Sequence, residues 1–254
     1  MSSNNQTPSL GRVFATARAW SNEAVEIIAH GVPTNVPSKL LCMSSPILRE
    51  DMIFAFMAAT SHPDGKVRAP YPYIEFPIFR MLRTWLLVHP DQVMEAQVND
   101  LRNIRGHDYA RRRLTRLVTC WIIGEEYKIL QFRNHIIRLL YLVLERHPPT
   151  ITIRVRYIND VIFLAGQFST PCKLILYFTA RASLWNTRVR MELDKWKKLH
   201  SDHVAILNVF SSHTYTAEDF LVPIPPEGTS EVLSRLTLKD QTDYGHLIVG
   251  DPWW

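Results

Sequence analysis

Apolar positions recur along this chain at two spacings, first every second residue and then at helical intervals. Ala24 to Ala29 reads A-V-E-I-I-A, rich in β-branched residues with Val25 and Ile27 on one side, the pattern of a strand. His30-Gly31 and Pro33 mark a turn, and Thr34 to Val36 return as a second short strand, so the two predict a hairpin. Pro37 suits the first turn of a helix, where a missing N–H is no loss, and Lys39, Leu40 and Leu41 continue it. Ser44-Ser45-Pro46 interrupts that helix and offers capping hydroxyls to the next. Ile47 to Ala59 is apolar and helical in character, with Met52, Phe56 and Ala59 at spacings of four and three. His62-Pro63-Asp64-Gly65 predicts a turn, and Val67 to Ala69 a third short strand.

Helical spacing then takes over. Ile78, Phe79, Leu82, Trp85, Leu86 and His89 make one apolar stripe over Ile78 to Val88, ended by Pro90. Residues 91–112 are polar and read as a surface connection. Leu114, Leu117, Val118, Trp121 and Ile122 form a second stripe, after which Gly124 allows a turn or a close helix approach. Phe132, Ile136, Leu139, Leu140 and Val143 form a third, closed by His147-Pro148-Pro149. Thr150 to Ala165 fits two patterns. Ile151, Ile153 and Val155 alternate like a strand, whereas Ile151, Val155, Ile158 and Ile162 fit a helix. Leu174 to Trp185 predicts a helix with Leu174, Phe178 and Trp185 inward, and Val189, Leu193 and Trp196 predict one more. Pro223 to Gly228 is a proline-rich linker that favours extended backbone, and the polar tail behind it ends in Pro252-Trp253-Trp254.

Composition narrows the class. The 254 residues are 46% hydrophobic and 21% charged, which suits a globular chain and not a disordered one. Cys42, Cys120 and Cys172 are odd in number, far apart and without a Cys-x-x-Cys pair. That argues against a disulfide scaffold or a zinc ribbon and for a reducing compartment. The first ten residues lack the apolar core of a signal peptide, and no run of about 18 apolar residues predicts a membrane span. The expected placement is intracellular, in cytoplasm or nucleus.

Candidate chemistry is sparse. His200, Asp202, His203 and His213 are the nearest approach to a metal set, but their spacing matches no ligand motif and solvated surface histidines are the commoner case. There is no G-x-S-x-G elbow, and with nine glycines no phosphate-cradling loop. No catalytic residue, cofactor or metal is expected. Arg102, Arg105, Arg111, Arg112, Arg113 and Arg116, with His107 and Tyr109 among them, make a basic stretch able to meet phosphates or an acidic protein. With a net charge of +5 and no nucleic-acid motif elsewhere, a solvated helix start is the favoured reading, and a nucleic-acid-associated regulator is the alternative.

Three longer stretches and one shorter carry a resemblance. V-E-I-I-A-H-G followed by T-N-V-P-S-K-L-L-C-M-S-S-P-I-L, with Val36, Lys39, Leu40, Leu41, Ser45 and Pro46 on motif positions, is similar to the strand, turn, strand and "V-x-K-x-L-L-x-x-S-S-P-F-F" start of the BTB/POZ domain. Ile47 and Leu48 replace the usual aromatic pair, and Ser38 replaces the usual histidine. P-I-F-R-M-L-R-T-W-L-L at Pro77 to Leu87 resembles the family's "A-F-x-x-L-x-x-W-L-Y" helix, with Phe79, Leu82, Trp85 and Leu86 on pattern. Leu117 to Asn134 resembles its helix pair, with Gly124 at the small position, Glu125 at the acidic one and Phe132 at the apolar one. Tyr157-Ile158-Asn159 and Ser169 to Leu174 resemble a segment found after the domain in divergent fungal members.

The resemblance spans Glu23 to Trp185. Together with the composition of the flanking stretches, it gives an α/β mixed, mainly helical fold: a tail at 1–22, a small sheet flanked by helices over 23–146, a helical extension over 147–220, and a proline-containing linker and tail over 221–254. Val36, Leu40, Leu41, Phe79, Leu82, Trp85, Leu117 and Trp121 are its expected core. It implies a non-catalytic protein-interaction module that forms homodimers or heterodimers, as an adaptor for cullin-type scaffolds or a partner of transcriptional co-repressors. Val93-Met94-Glu95 could mimic the family's scaffold-binding segment.

Overall fold

The computed structural model describes residues 24–59, 66–87, 107–146, 155–200, 204, 207–208, 210 and 214–223. The predicted tail at 1–22, the turn at 62–65, Val93-Met94-Glu95, the Ile151–Ile153 alternation and residues 224–254 lie outside them.

Strand β1 (Ala24–Ala29) buries Val25, Ile27 and Ala29 in strict alternation, which puts one apolar face on the core. It pairs antiparallel with β2 (Val32–Pro37), from Ala24 opposite Pro37 to Ala29 opposite Val32. His30 and Gly31 make the two-residue connection, with φ of 47° and 79°. Positive φ at both positions is the type I′ geometry that matches strand twist. The return strand therefore begins at Val32, two residues before the sequence pattern suggested. β3 (Arg68–Tyr71) lies parallel to β1 on its other side, giving the order β2-β1-β3. Pro33 and Pro70 both fall in edge strands, where a missing N–H breaks no interior ladder.

Between the hairpin and β3 run α1 (Ser38–Ser44) and α2 (Pro46–Ala59). Ser45 at their junction is buried. Its Oγ accepts the Ile47 and Leu48 N–H groups, each at 3.1 Å, and donates to the Tyr127 carbonyl. One side chain thus caps α2 and ties it to a turn 82 residues away. Helix α3 (Phe76–Leu87) buries Ile78, Phe79, Leu82, Trp85 and Leu86, as its periodicity requires.

Helices α4 (His107–Glu126) and α5 (Leu130–Arg146) form a hairpin. Gly124 does not end α4; it lets the helices approach. A Cβ there would stand 2.7 Å from Arg133 Cγ. Thr150 to Ala165 resolves to a helix where it is described, α6 (Val155–Ala165), with Tyr157, Ile158 and Val161 buried. α7 (Thr170–Trp185) is capped by Ser169 and α8 (Thr187–Leu199) by Asn186. Trp196 Nε1 of α8 donates to Asn159 Oδ1 of α6 at 2.8 Å.

One expected core position is corrected. Leu174 and Phe178 are buried, but Trp185 is 62% exposed. It shares their helical face, yet it sits in the last turn of α7, where the chain breaks at Asn186 and neighbouring Leu184 is exposed as well. A stripe is buried only as far as a neighbour covers it.

Among the described residues the fold is mainly helical with a small three-stranded mixed sheet. Its buried apolar side chains form one cluster from Val25 in β1 to Phe220, so the helices after residue 147 share the core of the sheet. No helix of the described residues is long and apolar enough to cross a membrane.

Candidate functional site

A groove of about 460 Å³ opens between α2, β3 and the α4–α5 turn. Asp51, Phe54 and Ala58 of α2 line one wall, and Pro70, Tyr71 and Tyr73 the other. Tyr127 closes the end, held there because Ser45 donates to its carbonyl. The Tyr71 hydroxyl donates to Asp51 Oδ2 at 2.9 Å, and its ring meets Tyr127 edge-on at 5.6 Å. Burial, then the charge and hydrogen bond of Asp51, push the Tyr71 phenol far above its ordinary range. Tyr127 is raised by burial and by the same carboxylate. Both tyrosines are therefore neutral donors at physiological pH. Tyr73 is 97% and Phe54 69% exposed, so two large rings stand at the rim.

The groove has the size and the mix of apolar surface and few polar groups that binding sites show. The three cysteines are free thiols, and burial raises each of them, Cys172 to about 12. The nucleophile is the thiolate, so burial disfavours the reactive form of each; Cys120 and Cys172 are buried and Cys42 is half-buried.

The eight expected core residues, Val36, Leu40, Leu41, Phe79, Leu82, Trp85, Leu117 and Trp121, are all buried. None lines the groove. Trp85 packs on Phe132 with ring centroids 5.3 Å apart. Arg133 lies over the Trp121 ring at 5.2 Å and pairs with Glu125, which closes the α4–α5 hairpin.

The basic stretch is divided. Arg102 and Arg105 lie outside the described residues. Arg111 is paired with Asp160 of α6 at 2.6 Å, and Arg113 is half-buried and engaged. Arg112 and Arg116 are exposed one turn apart. Asp202, His203 and His213 lie outside the described residues, and His200 stacks on the Trp196 ring at 4.8 Å. Among the described residues no three histidines, cysteines or carboxylates gather to hold a metal.

Two features were not anticipated. The groove could have been flagged by P-Y-P-Y at Pro70 to Tyr73, where aromatics and prolines end a strand. The other is a strap. Asn134, Arg138 and Tyr141 on one face of α5 receive the segment 215–222. Asn134 Nδ2 donates to the Val222 carbonyl at 2.8 Å, and its Oδ1 accepts the Val222 N–H at 3.1 Å. Arg138 forks onto Glu218, and the Tyr141 and Tyr177 hydroxyls donate to the Tyr215 carbonyl. Docked chain thus continues to Val222, into the stretch read as linker.

Comparison with known proteins gives no match: no family model, no curated protein and no solved structure matches this chain.

Proposed function

We propose that this chain is a non-catalytic protein–protein interaction module of the BTB/POZ type, a dimerising adaptor of the cullin-ligase or transcriptional-regulator kind. The observation that carries the reading is the agreement between motif positions and structural roles. Leu40 and Leu41 are the buried leucines of α1, Ser45 caps α2, and Phe79, Leu82 and Trp85 belong to the inward stripe of α3. The parallel strand β3 follows the two short helices in the order the motifs imply. Protonated thiols and an aromatic groove support binding over turnover.

Light scattering on the full chain, with calorimetric titration of a purified cullin scaffold, tests the reading. A mass twice that of one chain, or heat on adding the scaffold, is expected. A single-chain mass at all concentrations together with no heat removes it.

A further inference from the structure

We infer that the groove between α2 and β3 seats an arginine side chain of a partner protein, a site that rests on the interaction-module reading and names its chemistry. Among the described residues that line the groove, Asp51 is the one carboxylate. The one cation among them, Arg68, is already matched: its Nε donates at 2.9 Å to Glu26, its cross-strand neighbour on β1. The charge left to recognise a ligand is therefore negative.

That carboxylate is also oriented in advance. Tyr71, buried and braced against Tyr127, holds Oδ2. Oδ1 makes no hydrogen bond among the described residues. Tyr73 and Phe54 present open ring faces at the rim, and such faces attract cations. Arginine suits the combination better than lysine. Its planar guanidinium stacks on rings and forks onto a carboxylate, whereas an ammonium is a compact, strongly hydrated charge. Strand addition is the poorer mode here, because Pro70 removes an N–H from edge strand β3. Recognition rests on the side chain.

The groove supplies its own reporters, the methyl groups of Ala55, Ala58 and Ala69. Full-length protein carrying 13C-labelled alanine methyls is titrated with acetyl-Leu-Arg-Leu-amide, the same peptide with citrulline, and the same peptide with glutamate. The expected result is shifts at these three methyls with the arginine peptide, binding about tenfold weaker with citrulline, and none with glutamate. Asp51→Asn keeps an acceptor for the Tyr71 hydroxyl, so the fold persists, and it weakens the arginine peptide about tenfold. Tyr73→Ala, at a fully exposed position, weakens it without altering stability. Equal binding of citrulline and arginine, or undiminished binding by Asp51→Asn, overturns the assignment. Light scattering separates this inference from the broader one. If Asp51→Asn abolishes a dimer, the occupant is a second copy and the assignment to a different partner fails. An unchanged dimer with no arginine binding sinks the groove alone.

Discussion

Ser45 shows how much one side chain can decide. Its hydroxyl satisfies two orphan N–H groups of α2 and reaches the Tyr127 carbonyl, all in a buried setting. Ser45→Ala is expected to cost about 2 kcal/mol, the upper range for a lost cap plus a stranded carbonyl. The urea midpoint should fall accordingly with an unchanged slope. Gly124 makes the opposite point. Alanine is the better helix former, yet its methyl would meet Arg133 Cγ at 2.7 Å, on a side chain held by Glu125 and Trp121. Overpacking of about 1–3 kcal/mol exceeds the propensity gain of about 1 kcal/mol. Gly124→Ala should therefore destabilise the protein in thermal unfolding. The Ser-Pro punctuation and the glycine were both legible in the sequence. Their partners, 82 and nine residues away, were not, because local pattern carries no address for a distant contact.

At the scale of elements, the strap on α5 decides where the folded part ends. Asn134 is 4% exposed and uses both ends of its amide on the Val222 backbone. Asn134→Ala takes both bonds from the half-buried Val222 N–H and carbonyl, at about 1–3 kcal/mol for the two. Hydrogen exchange at the Val222 amide should accelerate by about tenfold or more while β1 stays protected. Unchanged exchange would show that aromatic packing around Phe220 holds the strap alone. Asn134, Arg138 and Tyr141 stand on one face at helical spacing, but a polar stripe reads as solvated surface until the segment that covers it is known. The basic start of α4 behaves in reverse. Six arginines read as one patch, but Arg111 is spent on Asp160 and Arg113 is partly covered. Labelled duplex DNA should accordingly show no retardation at about 0.15 M salt. A complex whose log affinity falls with log salt at a slope near −4 or steeper would restore the nucleic-acid alternative.

Across the whole molecule, the raised groups share one sign. Cys42, Cys120, Cys172, Tyr71, Tyr127, Tyr141 and Tyr157 all hold their protons more tightly when folded, chiefly through burial. A raised pKa gives stability that is complete below the unfolded value and lost as pH rises toward the folded one. For Cys172 that window runs from 9.0 to about 12. Denaturant midpoints should stay level through neutral pH and fall steadily above about 9. Asp219 acts at the other end: its bonds to Thr216 lower its pKa, so its contribution to the strap is lost as pH falls below the ordinary carboxylate value of 3.8. The sequence by itself determined the faces of the strands and the stripes of the helices, because both are set by spacing along a short stretch of chain. It also carried the order of elements from hairpin to paired helices. Only the tertiary structure decided that Trp185 lies open, that residues 215–222 are strapped to α5, and that Asp51, Tyr71, Tyr73 and Tyr127 share a groove. Periodicity states which side of an element is apolar. Which neighbour covers that side, and where the cover stops, depends on contacts between residues far apart in the chain.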